Sequence, residues 1–108
     1  MTAGYATFDI SDYLDDDGVI AEYLSAAAED PNPDVLLAAI SNVAKATGMA
    51  KVAKDAGLGR ESLYKTLAPG SHPRYETISA ILRALNMHVV VTSNDENVNE
   101  ERQSEVAA

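Results

Sequence analysis

The 108 residues contain no cysteine and no tryptophan, and only one phenylalanine. Without cysteine there can be no disulfide, zinc–thiolate centre or cysteine nucleophile. Histidine is nearly absent too: His72 and His88 stand sixteen residues apart, which is not a metal-ligand spacing. There is no serine nucleophile elbow and no glycine-rich phosphate cradle. Asp15, Asp16 and Asp17 lack the alternating ligands and the glycine of an EF-hand loop, so they read as solvated charge at a helix start. These absences argue against an enzyme and call for no cofactor and no metal. No apolar run approaches the roughly 20 residues that cross a bilayer. The opening MTAGYATFDI has no basic stretch ahead of an apolar one, unlike a secretory leader. The expectation is a soluble, cytoplasmic protein that does not engage membranes.

Positive charge is missing from one end altogether. Residues 1–34 carry nine acidic side chains and no basic one; residues 35–93 carry seven basic and three acidic; residues 94–108 carry five acidic and one basic. The net charge of −9 therefore hides a basic middle between acidic ends. Such asymmetry suggests different partners for different segments. Hydrophobic content of 46% is ordinary for a globular protein, and the length allows one small domain with arms.

Tyr5, Phe8 and Ile10 alternate partly with polar residues and suggest a short strand or extended arm. A helix is expected over residues 18–29, with Val19, Ile20, Tyr23, Leu24 and Ala27 on one face. Asp30-Pro31-Asn32-Pro33 breaks it, since proline restricts itself and the residue before it. A second helix, residues 34–47, has a stripe of Leu36, Ile40, Val43 and Thr47, with Leu37 and Ala44 beside it. Gly48 suits a left-handed cap. Short helices follow at 49–55 and 60–67. A fifth helix should have Pro73 in its first turn and end near Leu85, with Asn86 closing it. Residues 87–92 are β-branched and read as a strand. Residues 94–108, polar and poor in large apolar groups, are expected to be disordered.

The segment MAKVAKDAGLGRESLYKTL, residues 49–67, carries the most information. Two short helices separated by a glycine-containing turn form the helix-turn-helix pattern. Ala53 is small where the helices must approach closely. Gly57 follows four residues later, where a positive φ is cheapest for glycine. Leu58, Leu63, Val52, Ala56 and Leu67 are expected to face inward. The outward face at the start of the second helix then carries Arg60, Glu61, Ser62 and Lys65. Arg60 is suited to bidentate pairing with guanine and Glu61 to accepting from cytosine. Lys65 reaches a guanine or a phosphate, and Ser62 the backbone. Tyr64 lies between core and surface. Ser71, His72 and Arg74 follow in a loop placed for phosphate contacts, and Lys45, Lys51 and Lys54 add general attraction. The fold expected is all-α: a repressor-like, five-helix helix-turn-helix domain with one or two short β-strands at its ends.

Several stretches together resemble a known family. They are Phe8-Asp9-Ile10-Ser11-Asp12-Tyr13-Leu14, Ile20-Ala21-Glu22-Tyr23-Leu24, Gly48-Met49-Ala50-Lys51-Val52-Ala53, Gly57-Leu58-Gly59-Arg60-Glu61-Ser62-Leu63-Tyr64 and Pro73-Arg74-Tyr75-Glu76-Thr77-Ile78. The chain is similar, over about residues 8–92, to the addiction-module antidote proteins, HigA-like antitoxins whose helix-turn-helix is related to that of phage repressors. The helix-turn-helix alone is a general signal, and its combination with FDISDYL and IAEYL is more specific. Two departures stand out. Gly59 replaces the serine common before the recognition helix, removing one N-cap and one phosphate-binding hydroxyl. The strongly acidic total makes DNA affinity depend on local charge and on a dimer.

The resemblance implies a bacterial type II antitoxin that binds and neutralises a small RelE/ParE-like toxin and represses its own operon. On that basis the chain divides into an acidic arm and helix (1–33) for the toxin, a DNA-binding domain (34–93) and a tail (94–108). Asp9, Asp12, Asp15, Asp16, Asp17 and Glu22 would steer a basic toxin, with Tyr5, Phe8, Tyr13 and Tyr23 as apolar anchors. The same aromatics also suit packing within the domain, and for Tyr23 packing is the better reading. A homodimer would place two recognition helices about one DNA turn apart on operator DNA. The strand at residues 88–92 would pair with residues 7–10, with its own copy, or with a toxin edge. Two other functions fit the same residues: a stand-alone phage-type regulator, and a protein-interaction module that no longer binds DNA.

Overall fold

The computed structural model describes residues 9–94. The 3-10 turn and the first two α-helices start where a short polar side chain turns back on the amides, whereas the helices beginning at Met49, Arg60 and Tyr75 have no side-chain cap. Asp9 accepts from the Ser11 amide at 3.0 Å and from its hydroxyl at 2.8 Å, opening a 3-10 turn, Ile10–Tyr13. Asp16 accepts from the Val19 amide at 3.2 Å and begins α1, Asp17–Ala28. Asp30 and Asn32 cap in relay across the proline break. The Asp30 carboxylate takes the Asn32 amide and the Asn32 side chain takes the Asp34 amide, both at 2.9 Å. Helix α2, Pro33–Thr47, therefore starts with proline in its first turn, where the missing amide costs nothing.

Gly48 ends α2 and starts α3, Met49–Ala56, and the two axes meet at 110°. Its φ is positive as expected, but φ +121 and ψ +109 lie outside the left-handed helical region. A three-residue turn leads to α4, Arg60–Thr66, and a longer loop to α5, Tyr75–Ala84. The structure is thus helical, with five α-helices among the described residues.

One apolar cluster joins these elements. Helix α1 packs on α2 through Ile20 and Leu24, and the 3-10 turn contributes Ile10. Helix α3 sits centrally, touching α2, α4 and α5, and its Val52 and Ala53 are fully shielded. Leu63 anchors α4, while Ile81, Leu82 and Leu85 anchor α5. No buried polar side chain lacks a partner among the described residues.

Three expectations need correction. No strand occurs among the described residues. The anticipated N-terminal strand falls partly on residues before Asp9, outside the described range, and its Ile10 lies in a 3-10 turn. Val89, Val90 and Val91 carry β-branched side chains but are 48%, 69% and 91% exposed with no ladder beside them, and propensity alone makes no sheet. Pro73 precedes α5 instead of entering it, because the extended Arg74 (φ −69, ψ 149) is the N-cap residue. The buried stripe of α2 runs through Leu37, Ala39, Ile40, Val43 and Ala44, leaving Leu36 and Thr47 half-buried. Residues 95–108, expected to be disordered, lie outside the described range.

Candidate functional site

The turn between α3 and α4 is built by its glycines. Gly57 adopts φ +76, ψ 28, a left-handed conformation that costs glycine nothing. Its amide donates to the Lys54 carbonyl at 3.1 Å and the Leu58 amide to that of Ala53 at 2.8 Å. That pair of bonds is a Schellman motif, which satisfies carbonyls the helix end would leave open. Leu58 then packs back, half-buried, against the core. Gly59 has an ordinary extended conformation and supplies no side-chain cap to α4.

Helix α4 has only seven residues, too few to be stable alone, so tertiary packing holds it. Leu63 is completely buried, and its amide donates to the Gly59 carbonyl at 3.0 Å. With Leu63 turned inward, Glu61 and Lys65 fall on the opposite side of the helix, Arg60, Ser62 and Tyr64 flank it, and all five are exposed. The Arg60 guanidinium lies 5.8 Å from the centre of the Tyr64 ring, within cation–π range. Tyr64, expected between core and surface, is 43% exposed.

Lys51 and Lys54 are exposed on α3. Lys51 forms an ion pair with Asp55 at 2.9 Å one helical turn away, which offsets part of its charge. Lys45 is exposed in the last turn of α2. In the loop after α4, Ser71, His72 and Arg74 are exposed, but the Ser71 hydroxyl donates to the Thr66 carbonyl, closing the end of α4. Its donor is therefore engaged within the fold. The loop is further shaped by two positive φ angles, +77 at Gly70 and +50 at His72.

Asp34 had no assigned part in the sequence reading. Its carboxylate accepts from the Gly70 amide at 2.9 Å across 36 residues of sequence, tying the start of α2 to that loop. Asn86 (φ +64) closes α5 in a second Schellman motif, with Met87 donating to Leu82 and Asn86 to Arg83. Its side chain also donates to Asp17 at 2.8 Å. Both contacts join distant residues, so no local pattern announces them.

The acidic group is only partly free. Asp9 and Asp16 cap local turns and Asp17 holds Asn86, while Asp12 and Asp15 are exposed. The hydrogen bonds from the Ser11 hydroxyl, then from its amide, hold the Asp9 carboxyl below its ordinary pKa. Tyr13 is exposed beside them. Tyr23 is half-buried on the α1 stripe, and its hydroxyl accepts from the Asn42 side chain at 2.9 Å. Tyr5 and Phe8 lie outside the described residues.

The structure thus gathers Arg60, Glu61, Ser62, Tyr64 and Lys65 on one short helix, with Lys51 and Lys54 on the helix packed against it. It sets the acidic residues apart at the start of α1.

A family model described as "Probable addiction module antidote protein" matches residues 4–93. An "Uncharacterized protein" of Haemophilus influenzae is 33% identical over 91 residues, spanning 84% of this chain and 94% of that protein. No solved structure matches the chain. No single helix among the described residues is long and apolar enough to cross a membrane.

Proposed function

The chain belongs to the probable addiction-module antidote family, and from that premise we propose that it is a cytoplasmic type II antitoxin acting through two surfaces. One binds and neutralises a RelE/ParE-like toxin. The other, a helix-turn-helix made of α3 and α4, binds operator DNA as a homodimer and represses the operon. No catalytic step and no cofactor enters this reading.

The observation that carries the DNA part is the exposed face of α4. Leu63 fixes the helix rotation, so Glu61 and Lys65 point away from the core, with Arg60 and Ser62 exposed beside them in the first turn. A helix presented this way can enter a major groove with its N-terminal residues on base edges. Arg60 suits guanine and Glu61 cytosine, while Lys65 suits guanine or phosphate. The Tyr64 ring beneath Arg60 restrains the guanidinium and shares in phosphate contact. Lys51, Lys54, Arg74 and His72 add contacts to the DNA backbone, which fix register without reading sequence, while Ser71, whose hydroxyl and amide donate to Thr66 and Ala68, shapes the loop. Gly59 brings no hydroxyl to the helix start, so α4 relies on backbone amides there.

The toxin part rests on the family and on the acidic first 34 residues, which carry no basic side chain. Exposed Asp12 and Asp15, with Asp9, Asp16, Asp17 and Tyr13, present negative charge to a basic partner; Tyr5 and Phe8 are proposed to extend that surface.

Co-expression tests both halves. The protein encoded beside this chain should arrest growth alone and cease to do so when this chain is co-expressed. A reporter driven by the upstream promoter should be repressed by wild type and released by Arg60→Ala with Lys65→Ala. Growth arrest without rescue would refute the antitoxin role. Full repression by the double variant would refute the assignment of α4.

A further inference from the structure

Helices α1 and α2 form a hairpin, and an open groove of about 640 Å³ runs between them. Its walls include Tyr23, Ala26, Val35, Ala38 and Pro69. Ala26, Val35 and Ala38 are exposed, so this apolar surface is not used by the core. The Tyr23–Asn42 hydrogen bond braces one end, and the Asp34–Gly70 bond braces the other. The first bond joins α1 to α2, and the second joins α2 to the loop that carries Pro69.

Its surroundings are acidic. Glu22 lies one turn before Ala26 on the same face of α1, and Glu29 caps that helix one turn after it. Asp34 lines the groove from α2. No lysine or arginine precedes Lys45 in the chain. Charge selects among occupants. A second copy would bring the same acidic rim against this one. The C-terminal segment, residues 94–108, carries five acidic residues and one basic, and is repelled as well. An element with an apolar ridge flanked by lysine or arginine fits both floor and rim.

We propose that this α1–α2 groove is where the toxin docks, receiving a basic element with an apolar ridge. The proposal rests on the antitoxin reading and moves the main apolar contact away from the 3-10 turn to the far end of α1. Small alanine side chains let the partner's ridge come close to both helices, and the acidic rim speeds encounter and fixes orientation. No residue of α4 lines the groove.

The test uses the full chain and the purified protein encoded beside it, with affinity measured by calorimetry at several salt concentrations. Ala38→Arg fills the groove and reverses its charge, and arginine is a good helix former at an exposed site. Glu22→Lys with Glu29→Lys reverses only the rim. The expected result is at least a tenfold loss of affinity for Ala38→Arg, and a weaker, less salt-dependent complex for the double variant. Asp12→Asn with Asp15→Asn should change affinity less than Ala38→Arg does. Wild-type affinity in Ala38→Arg would overturn the groove and leave the antitoxin reading intact. No complex with the wild-type chain would overturn both. A change in the free protein's mass on Ala38→Arg would assign the groove to a second copy. A fall of about 5 °C or more in its melting temperature would assign it to packing within the chain. Either would overturn the proposal.

Discussion

The α3–α4 turn holds two glycines two residues apart, and they should respond oppositely to substitution. Gly57 sits at φ +76, with nothing within 4 Å of the position a Cβ would occupy. The cost of Gly57→Ala is therefore backbone strain and not a clash, about 1–2 kcal/mol for an L-residue held in the left-handed region. For a domain of this size, each kcal/mol lowers the melting temperature by roughly 4–8 °C. Gly57→Ala should thus melt about 4–16 °C lower. Gly59 has φ −72 and ψ 154, and an added Cβ meets only the Ser62 hydroxyl at 3.9 Å, an ordinary contact. Gly59→Ser incurs no strain and gives α4 a side-chain cap, a gain of a few tenths of a kcal/mol over glycine. It also restricts the unfolded chain, adding about 0.4–1 kcal/mol. Urea titration of wild type and both variants, with slopes compared, reads these differences. Equal midpoints for Gly57→Ala and wild type would refute the left-handed turn, and with it the orientation assigned to α4.

Other substitutions probe the supports around that helix. Leu63→Ala removes the fully buried anchor of α4 and should cost about 2–5 kcal/mol in denaturant titrations; a loss below about 1 kcal/mol would mean that α4 is held by something else. Asp34→Asn keeps an acceptor for the Gly70 amide, whereas Asp34→Ala does not, so the alanine variant should have the lower urea midpoint, and equal midpoints would show the bond to be idle. Lys51→Ala breaks an exposed ion pair and should change stability by less than about 1 kcal/mol while weakening DNA binding; a larger stability loss would make Lys51 a structural residue.

Local features were the legible ones. The acidic helix start at residues 15–17 and the turn at Gly57 act within four residues of themselves and follow from sequence order, whereas Asn32 and Pro33, read only as a break, turn out to cap and begin α2. The same holds for part of α4: once Leu63 is assigned to the core, the outward rotation of Glu61 and Lys65 is settled. Contacts across the chain were not legible. Asp34 to Gly70, Asn86 to Asp17 and Asn42 to Tyr23 join residues whose proximity depends on packing. The strand expected at residues 87–92 rested on side-chain propensity, but a strand also needs a neighbour, and none is present among the described residues. Ser71 was read from its position in a loop, and that loop turns its hydroxyl back onto Thr66. The α1–α2 groove combines positions from two helices, and only the acidic half of its character was visible in the charge count.

The central claim is that α4 places Arg60 and Lys65 on DNA. The most direct test is to titrate the DNA upstream of the gene over a range of salt concentrations, using wild type, Arg60→Ala and Lys65→Ala. Each phosphate neutralised contributes about −0.9 to the slope of log affinity against log salt. The account predicts a steep slope for wild type and a loss of preference for the upstream sequence in Arg60→Ala. For Lys65→Ala it predicts weaker binding, through a lost guanine contact or a shallower phosphate slope. Salt-independent binding, or variants matching wild type in affinity, slope and sequence preference, would contradict it.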